Sequence, residues 1–352
     1  MIDVGLIGFG LAGRCIHAPV IRAVEGLRLA AILQRSGNEA ASIYPDARIV
    51  RSIDELLAVD SIRLVVIATP NQTHFPLAKR CLESGRDVVV DKPFTITTQE
   101  ALELFRIARA HSRVLTVYHN RRFDADFQAL RTVAAKKAFG EILRFESQYD
   151  RFRPGPKPGA WREQVSPGAG VLFDLAPHLI DHALTLLGRP ESIAGDVRIE
   201  RAGMSTDDAF DLYFYYREGV RAQLKATMMG ATPRPRFVVL GTKGGYIKRE
   251  FDPLENSLRN GQVPTGDSWV LEKEEHWGEL TVVENGETSR QKVPSVGDWR
   301  GFYANVRDVL LGKAELVVTP QQVMDVMVAV ELAIESSERR CAVPWRNVSV
   351  DE

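Results

Sequence analysis

Cysteine is scarce in this chain of 352 residues: Cys15, Cys81 and Cys341 lie far apart and form no CxxC pair. That argues against a disulfide framework or a cysteine zinc site and favours a reducing compartment. Charge of one sign is also missing, because 45 basic residues meet 46 acidic ones for a formal net charge of -1. Such a balance gives no electrostatic footprint for nucleic acid or an anionic membrane, so a small-molecule partner is expected. The start, MIDVGLIGFG, has no basic leader, and the longest apolar runs are far shorter than a membrane span. A soluble cytoplasmic protein is therefore expected. Low-complexity segments, repeats and long linkers are lacking too, while the length exceeds the usual single core, so two tightly joined domains are predicted.

What is present begins with IDVGLI, a short apolar strand running into GFGLAG, followed by RCIHAPVIRAV with helical spacing. Strand, glycine turn and helix in that order predict a dinucleotide cradle over Gly8, Phe9, Gly10, Leu11, Ala12 and Gly13. Gly8 permits the turn, Gly10 lets a pyrophosphate approach the backbone, and Gly13 lets the helix pack on the strand. The second strand, LRLAAIL, ends in Gln34, Arg35 and Ser36, where an NAD site usually carries an acid for the ribose hydroxyls. Arg35 can pair with a 2′-phosphate and Ser36 can donate to it, so NADP is preferred, with NAD the alternative. Alternatively, Arg35 is a solvated loop residue.

Downstream, SIDELLAVDSI, RLVVIATP, FPLAKRCLESG and RDVVVDKPF continue the βα alternation of a doubly wound parallel sheet. Ligands of such sheets bind at the carboxyl ends of the strands. Thr69, Pro70, Asn71, Asp91 and Lys92 are thus expected at one crevice with the glycine turn, and His74 is counted with the same wall. An ammonium ending a valine-rich strand needs a partner, and Lys92 is aimed at the cofactor.

Together GFGLAG, TPNQTH and DKP resemble the Gfo/Idh/MocA family of oxidoreductases, and the likeness extends over nearly the whole chain. VYHNRRFDADF, YDRFRPGPKPGAWRE and FDLAPHLIDHALTLLG are similar, more narrowly, to the subgroup containing NADP-dependent scyllo-inositol dehydrogenases. The resemblance implies an N-terminal Rossmann domain over 1–120. It implies a C-terminal α/β domain over 121–352 with a large, open, mostly antiparallel sheet, through which a homodimer forms; a tetramer is also compatible. The family's usual Glu-Lys-Pro is here DKP, which leaves the lysine in place, and a cis Pro93 is expected by the same likeness. The resemblance also makes Arg121 a substrate contact, and makes Trp161 and Arg162 part of a loop returning over the cofactor. Asn120, after the strand, is expected to reach the nicotinamide.

Beyond residue 120 the pattern changes to separate alternating strands, among them EILRFESQYDRFR, ESIAGDVRIER, AFDLYFYYR, VRAQLKATMM and RFVVLGTKGGYIKRE. Between the first two lies a helical stretch carrying Asp174, His178, Asp181 and His182. Asp174, His178 and Asp181 share a helix face and can serve one cavity, although Asp174 with His178 also reads as an ordinary surface pair. A zinc site is not supported, for want of a third ligand and of HExxH spacing. These residues sit at the family's Asp-x-x-x-His positions, which makes Lys92, Asp174 and His178 the catalytic candidates and Asp181 a hydroxyl contact. The expected reaction is hydride exchange between a nicotinamide cofactor and a secondary alcohol of a polyol or sugar, an inositol foremost. Two rival readings are an NAD-dependent redox glycosidase and a non-catalytic nucleotide sensor of the same fold.

Overall fold

Runs of Val, Ile and Leu too short for helices build a six-stranded sheet. Its strands are β1 (Ile2–Ile7), β2 (Leu27–Leu33), β3 (Arg48–Val50), β4 (Ile62–Ile67), β5 (Asp87–Val90) and β6 (Leu115–Val117). A computed structural model describes every residue except 158, 160, 233, 267–271 and 352. The strands lie in the order β3-β2-β1-β4-β5-β6, and every pairing is parallel. All residues of β1 and β5 are buried, as strands covered on both faces require. The order reverses between β1 and β4, and a crevice opens there at the strands' carboxyl ends.

The stretch after the glycine turn departs from a simple helix. Ala12–His17 is a π-helical turn and only Ala18–Arg22 is α-helical. Pro19 sits at the junction and cannot donate to the carbonyl four residues back, which disfavours a continuous α-ladder.

The second sheet has nine strands: β7 (Ile142–Asp150), β8 (Ser192–Arg198), β9 (Ala209–Tyr215), β10 (Arg221–Thr227), β11 (Phe237–Gly241), β12 (Gly244–Lys248), β13 (Gly278–Glu284), β14 (Glu287–Val293) and β15 (Val343–Pro344). They run β14-β13-β12-β11-β7-β10-β9-β8-β15, antiparallel except for the parallel pair β7 and β10. Alternation is visible in β9, where Phe210, Leu212 and Phe214 are buried while Asp211, Tyr213 and Tyr215 face outward, half-buried. The stretch RFVVLGTKGGYIKRE, expected as one strand, is the hairpin β11–β12, because Gly-Thr-Lys-Gly makes a turn. Strand β14 has no apolar alternation to announce it; all but its last residue is exposed.

Helices Gly170–Leu187 and Pro320–Arg339 cover the inner face. The first is long and apolar enough to cross a membrane, unlike the short runs expected, yet 67% of it is buried inside the protein. It is a core helix. Helices Arg300–Leu310 and Pro320–Arg339 also reach the first domain: Arg307 Nη1 donates to the Glu25 carbonyl at 2.7 Å, and the Thr98 amide donates to Glu331 at 2.7 Å.

Candidate active site

Gly8, with φ of +100°, turns the chain after β1, and a Cβ there would lie 2.5 Å from the Ala68 carbonyl oxygen. A Cβ on Gly13 would lie 1.9 Å from the Gly8 oxygen, so this glycine lets the helical turn close onto the loop. Gly10 is different: a Cβ would meet nothing within 4 Å, and the space above it belongs to a cleft of about 1480 Å³. Roomier than most small-molecule pockets, the cleft runs from Arg35 and Ser36 over Gly8, Phe9, Gly10, Leu11 and Ala12 to Lys92.

At the far end of this cleft the turn after β2 is organised by Arg51, whose Nη1 donates to the Gln34 and Gly37 carbonyls, each at 2.7 Å. Arg14 and Arg51 line that end with Arg35 and Ser36. Glu39 lines it too, a carboxylate that the end of β2 did not reveal, and it accepts from the Gln34 side chain.

Thr69, Pro70 and Asn71 border the cleft after β4, and Asn71 Nδ2 donates to the Gly168 carbonyl at 2.7 Å, linking this wall to the second domain. His74 does not border it. Buried, its ring nitrogens contact the Pro93 and Thr69 carbonyls at 2.8 and 2.9 Å, so it ties two loops together. The expectation of His74 at the cofactor is therefore corrected: the ring turns inward from the helix start, where burial lowers its pKa.

After β5, Asp91 and Lys92 enter the cleft and the Lys92–Pro93 peptide is cis. Burial would raise the Asp91 pKa, but His17, 3.6 Å away, and Lys92 hold it down to about 2. Lys92 Nζ donates to the Asp174 main-chain oxygen at 2.6 Å and to Asp174 Oδ1 at 3.1 Å. Two of its three donors are thus directed, and one is left for a ligand.

Asp174 projects from Gly170–Leu187 into a ring of cations: beyond Lys92, Arg162 Nε lies 3.2 Å away and Arg151 Nη1 3.6 Å away. Burial opposes its charge, yet Lys92, Arg162 and Arg151 together hold the carboxyl well below its usual range. His178, one turn on, lines the same cleft. Its Nδ1 has no hydrogen-bond partner among the described residues. Burial, then Lys92 and Arg121, push its pKa well below the ordinary imidazole value, so the ring is neutral. Asn120, Trp161 and Arg162 also line the cleft, and the Arg162 guanidinium stacks 4.5 Å from the Trp161 ring centre.

Asp181 is a correction. Both its oxygens are taken by Arg122, at 2.7 and 2.6 Å, in a buried bidentate pair away from the cleft lining. Sharing a face with His178 was not enough, because this helix is buried on most sides and its polar groups point to different partners. Arg121 does line the cleft, with its guanidinium on Asp124, the Tyr149 hydroxyl and Glu255.

Sequence reasoning missed Arg151, Arg153, Asp207, Glu255 and Arg259, all on the lining. Asp207 caps the helix bearing Asp174 and His178. Its Oδ2 accepts from the Leu172 amide at 2.6 Å and its carbonyl from Val171 at 3.0 Å, because Ala169 offers no capping side chain. Only a partner 35 residues away supplies that cap.

Comparison with known proteins follows the same division. Residues 2–119 match the model of an oxidoreductase family with an NAD-binding Rossmann fold, and residues 127–247 match a GFO/IDH/MocA C-terminal domain. The chain is 41% identical to the uncharacterized oxidoreductase YdgJ of Escherichia coli, over 97% of this chain and 98% of that one. It is 31% identical to the scyllo-inositol 2-dehydrogenase (NADP(+)) IolW of Bacillus subtilis, over 96% of this chain and 94% of that one. The solved structure of yvaA from Bacillus subtilis superposes with a TM-score of 0.95 at 30% identity, covering 98% of each chain.

Proposed function

Since the chain belongs to the Gfo/Idh/MocA family of oxidoreductases, which bind a nicotinamide cofactor through their Rossmann domain, we propose that it is an NADP-dependent dehydrogenase of polyols or sugars. The observation that carries this reading is the contact of Lys92 with Asp174 across one cleft, His178 beside them and the glycine turn at the cleft's other end. Gly8 to Ala12, Thr69, Pro70, Asn71, Asp91 and Asn120 would hold the cofactor; once bound, its nicotinamide accepts or returns the hydride. Arg35 and Ser36, with Arg14 and Arg51 nearby, favour a 2′-phosphate and outnumber the one carboxylate there, Glu39.

The remaining chemistry belongs to the chain. His178 is neutral, so it can accept the hydroxyl proton of a bound alcohol. Lys92 turns its remaining N–H toward the alkoxide that forms as the proton leaves, and Asp174 fixes that ammonium in place. General-base assistance of this kind contributes about 10²- to 10⁴-fold in rate.

Inositol is the first compound to test, on the strength of the likeness to IolW. Purified protein is assayed against inositols and aldoses with NADP and with NAD. Reduced cofactor formed with a polyol supports the reading; no turnover with any polyol rejects it, and a clear preference for NAD rejects the cofactor half. The proposal extends to a homodimer through the outward face of the nine-stranded sheet, where Tyr213 and Tyr215 of β9 stand half-covered in the single chain. Sedimentation at a monomer's rate at micromolar concentration would reject that part.

A further inference from the structure

The substrate end of the cleft is charged out of proportion to a neutral alcohol. Lys92, Arg121, Arg151, Arg153, Arg162 and Arg259 all line it. Their carboxylate partners are few. Asp174 answers Lys92, Arg151 and Arg162; Glu255 is shared by Arg121 and by Arg259 Nη2 at 2.5 Å; Asp124 stands behind Arg121. Within ion-pair distance these six cations therefore meet three carboxylates, and Asp91 and Asp207 are further acids on the same lining. Glu255 stays ionised, since Arg121, Arg259 and Arg151 outweigh its burial and hold its pKa down to about 2.

Two of these guanidinium groups are held in place by an aromatic ring: Arg121 lies 5.1 Å and Arg151 4.8 Å from the centre of Tyr149. Arg151 comes no closer than 3.6 Å to a carboxylate oxygen, and Arg153 has no ion-pair partner among the described residues. Arg153 is exposed where it lines the cleft together with Arg151 and Arg259, and its pKa is lowered by partial loss of water and by those two neighbouring charges. Like charges gathered in a cleft, with donors undirected, are stable when an anion joins them.

We propose that Arg151, Arg153 and Arg259 form a subsite for an anionic oxyacid group, so that the alcohol turned over at Lys92 and His178 carries a carboxylate or a phosphate. The inference rests on the dehydrogenase reading and narrows its substrate class to acidic sugars or phosphorylated polyols. A dinucleotide's pyrophosphate is already provided for by the glycine turn on the opposite domain.

Calorimetric titration of the full-length protein, preloaded with NADP, tests it with glucuronate and an inositol monophosphate, set beside glucose and inositol. The acids bind about tenfold tighter or more than their neutral counterparts, and Arg153→Ala weakens the acids by about 10- to 100-fold, the worth of a charge-assisted contact. Arg153→Lys keeps most of the preference, and added salt erodes it. The better of the two acids tells carboxylate from phosphate. Equal affinity for acid and neutral compound overturns the subsite, as does an Arg153→Ala defect confined to NADP binding. Reduced cofactor is followed in the same samples: acid binding without turnover keeps the subsite and rejects the dehydrogenase, while turnover of neutral polyols without acid preference does the reverse.

Discussion

Lys92 and Asp174, 82 positions apart, meet across the two domains through one ammonium group, which touches the aspartate's main-chain oxygen at 2.6 Å and its carboxylate at 3.1 Å. One residue follows strand β5 of the parallel sheet and the other rides on the core helix of the second domain. The contact gives the cleft a fixed cation where a bound alcohol would develop negative charge.

Removing that cation is the first test. Lys92→Ala lowers kcat by about 10²- to 10⁴-fold, while cofactor affinity, read by fluorescence titration, changes little. The fold persists because Asp174 retains Arg162 and Arg151 as partners.

The second concerns the imidazole. His178→Gln lowers kcat by a similar factor. In the wild type, the neutral ring is the active form, so activity is present above the folded pKa and lost below it. That pKa lies well under the ordinary 6.5, through burial and the neighbouring Lys92 and Arg121. The pH profile of kcat/KM therefore stays level as pH falls through 6.5 and declines only in more acid solution; a limb centred on 6.5 would contradict the assignment.

Much of this was legible in the sequence, and the exceptions have physical reasons. Gly8, Gly10 and Lys92 declare themselves because a strand-turn-helix and a lysine at a strand end have few structural uses. Asp174 and His178, which read alone as an ordinary surface pair and were singled out by the family resemblance, do line the cleft, but Asp181 was misplaced, since a helix enclosed by two domains presents no single polar face and Arg122 claims that carboxylate. His74 orients the turn after β4, as its place in the sequence allows, but is not on the cofactor wall, because its ring points inward to the Thr69 and Pro93 carbonyls. Arg151 and Arg259 come from separate loops and helices, and only the closed fold brings them to one wall.

Stability carries its own pH signature. His119 is buried, and burial lowers its pKa from the ordinary 6.5 to about 4. Between those values the unfolded chain binds the proton and the folded chain does not, so stability falls as pH drops from 6.5 toward 4. The loss from this one group is about 3 kcal/mol. Urea unfolding at stepped pH measures it, and His119→Gln flattens the dependence.

The cap on the active-site helix predicts a coupled defect. Asp207→Ala removes the acceptor for the Leu172 amide and costs about 1 kcal/mol, the usual worth of a helix cap, seen as a lower Tm. Because Asp174 and His178 ride on the first turns of that helix, kcat falls as well. Asp207→Asn, which keeps an acceptor, restores most of both.

Cofactor choice is read at Arg35. Arg35→Ala raises the Kd for NADP by about 10- to 100-fold and that for NAD much less, if its guanidinium pairs with the 2′-phosphate. An equal change for both cofactors would return Arg35 to the solvent.

The most direct test of the whole account is a single-turnover experiment: protein, NADP and a polyol are mixed and the near-ultraviolet absorbance of reduced nicotinamide is followed. The account predicts a burst of reduced cofactor that slows when the polyol's carbinol hydrogen is deuterium and that nearly vanishes in Lys92→Ala. A burst of unchanged rate in that variant would contradict it.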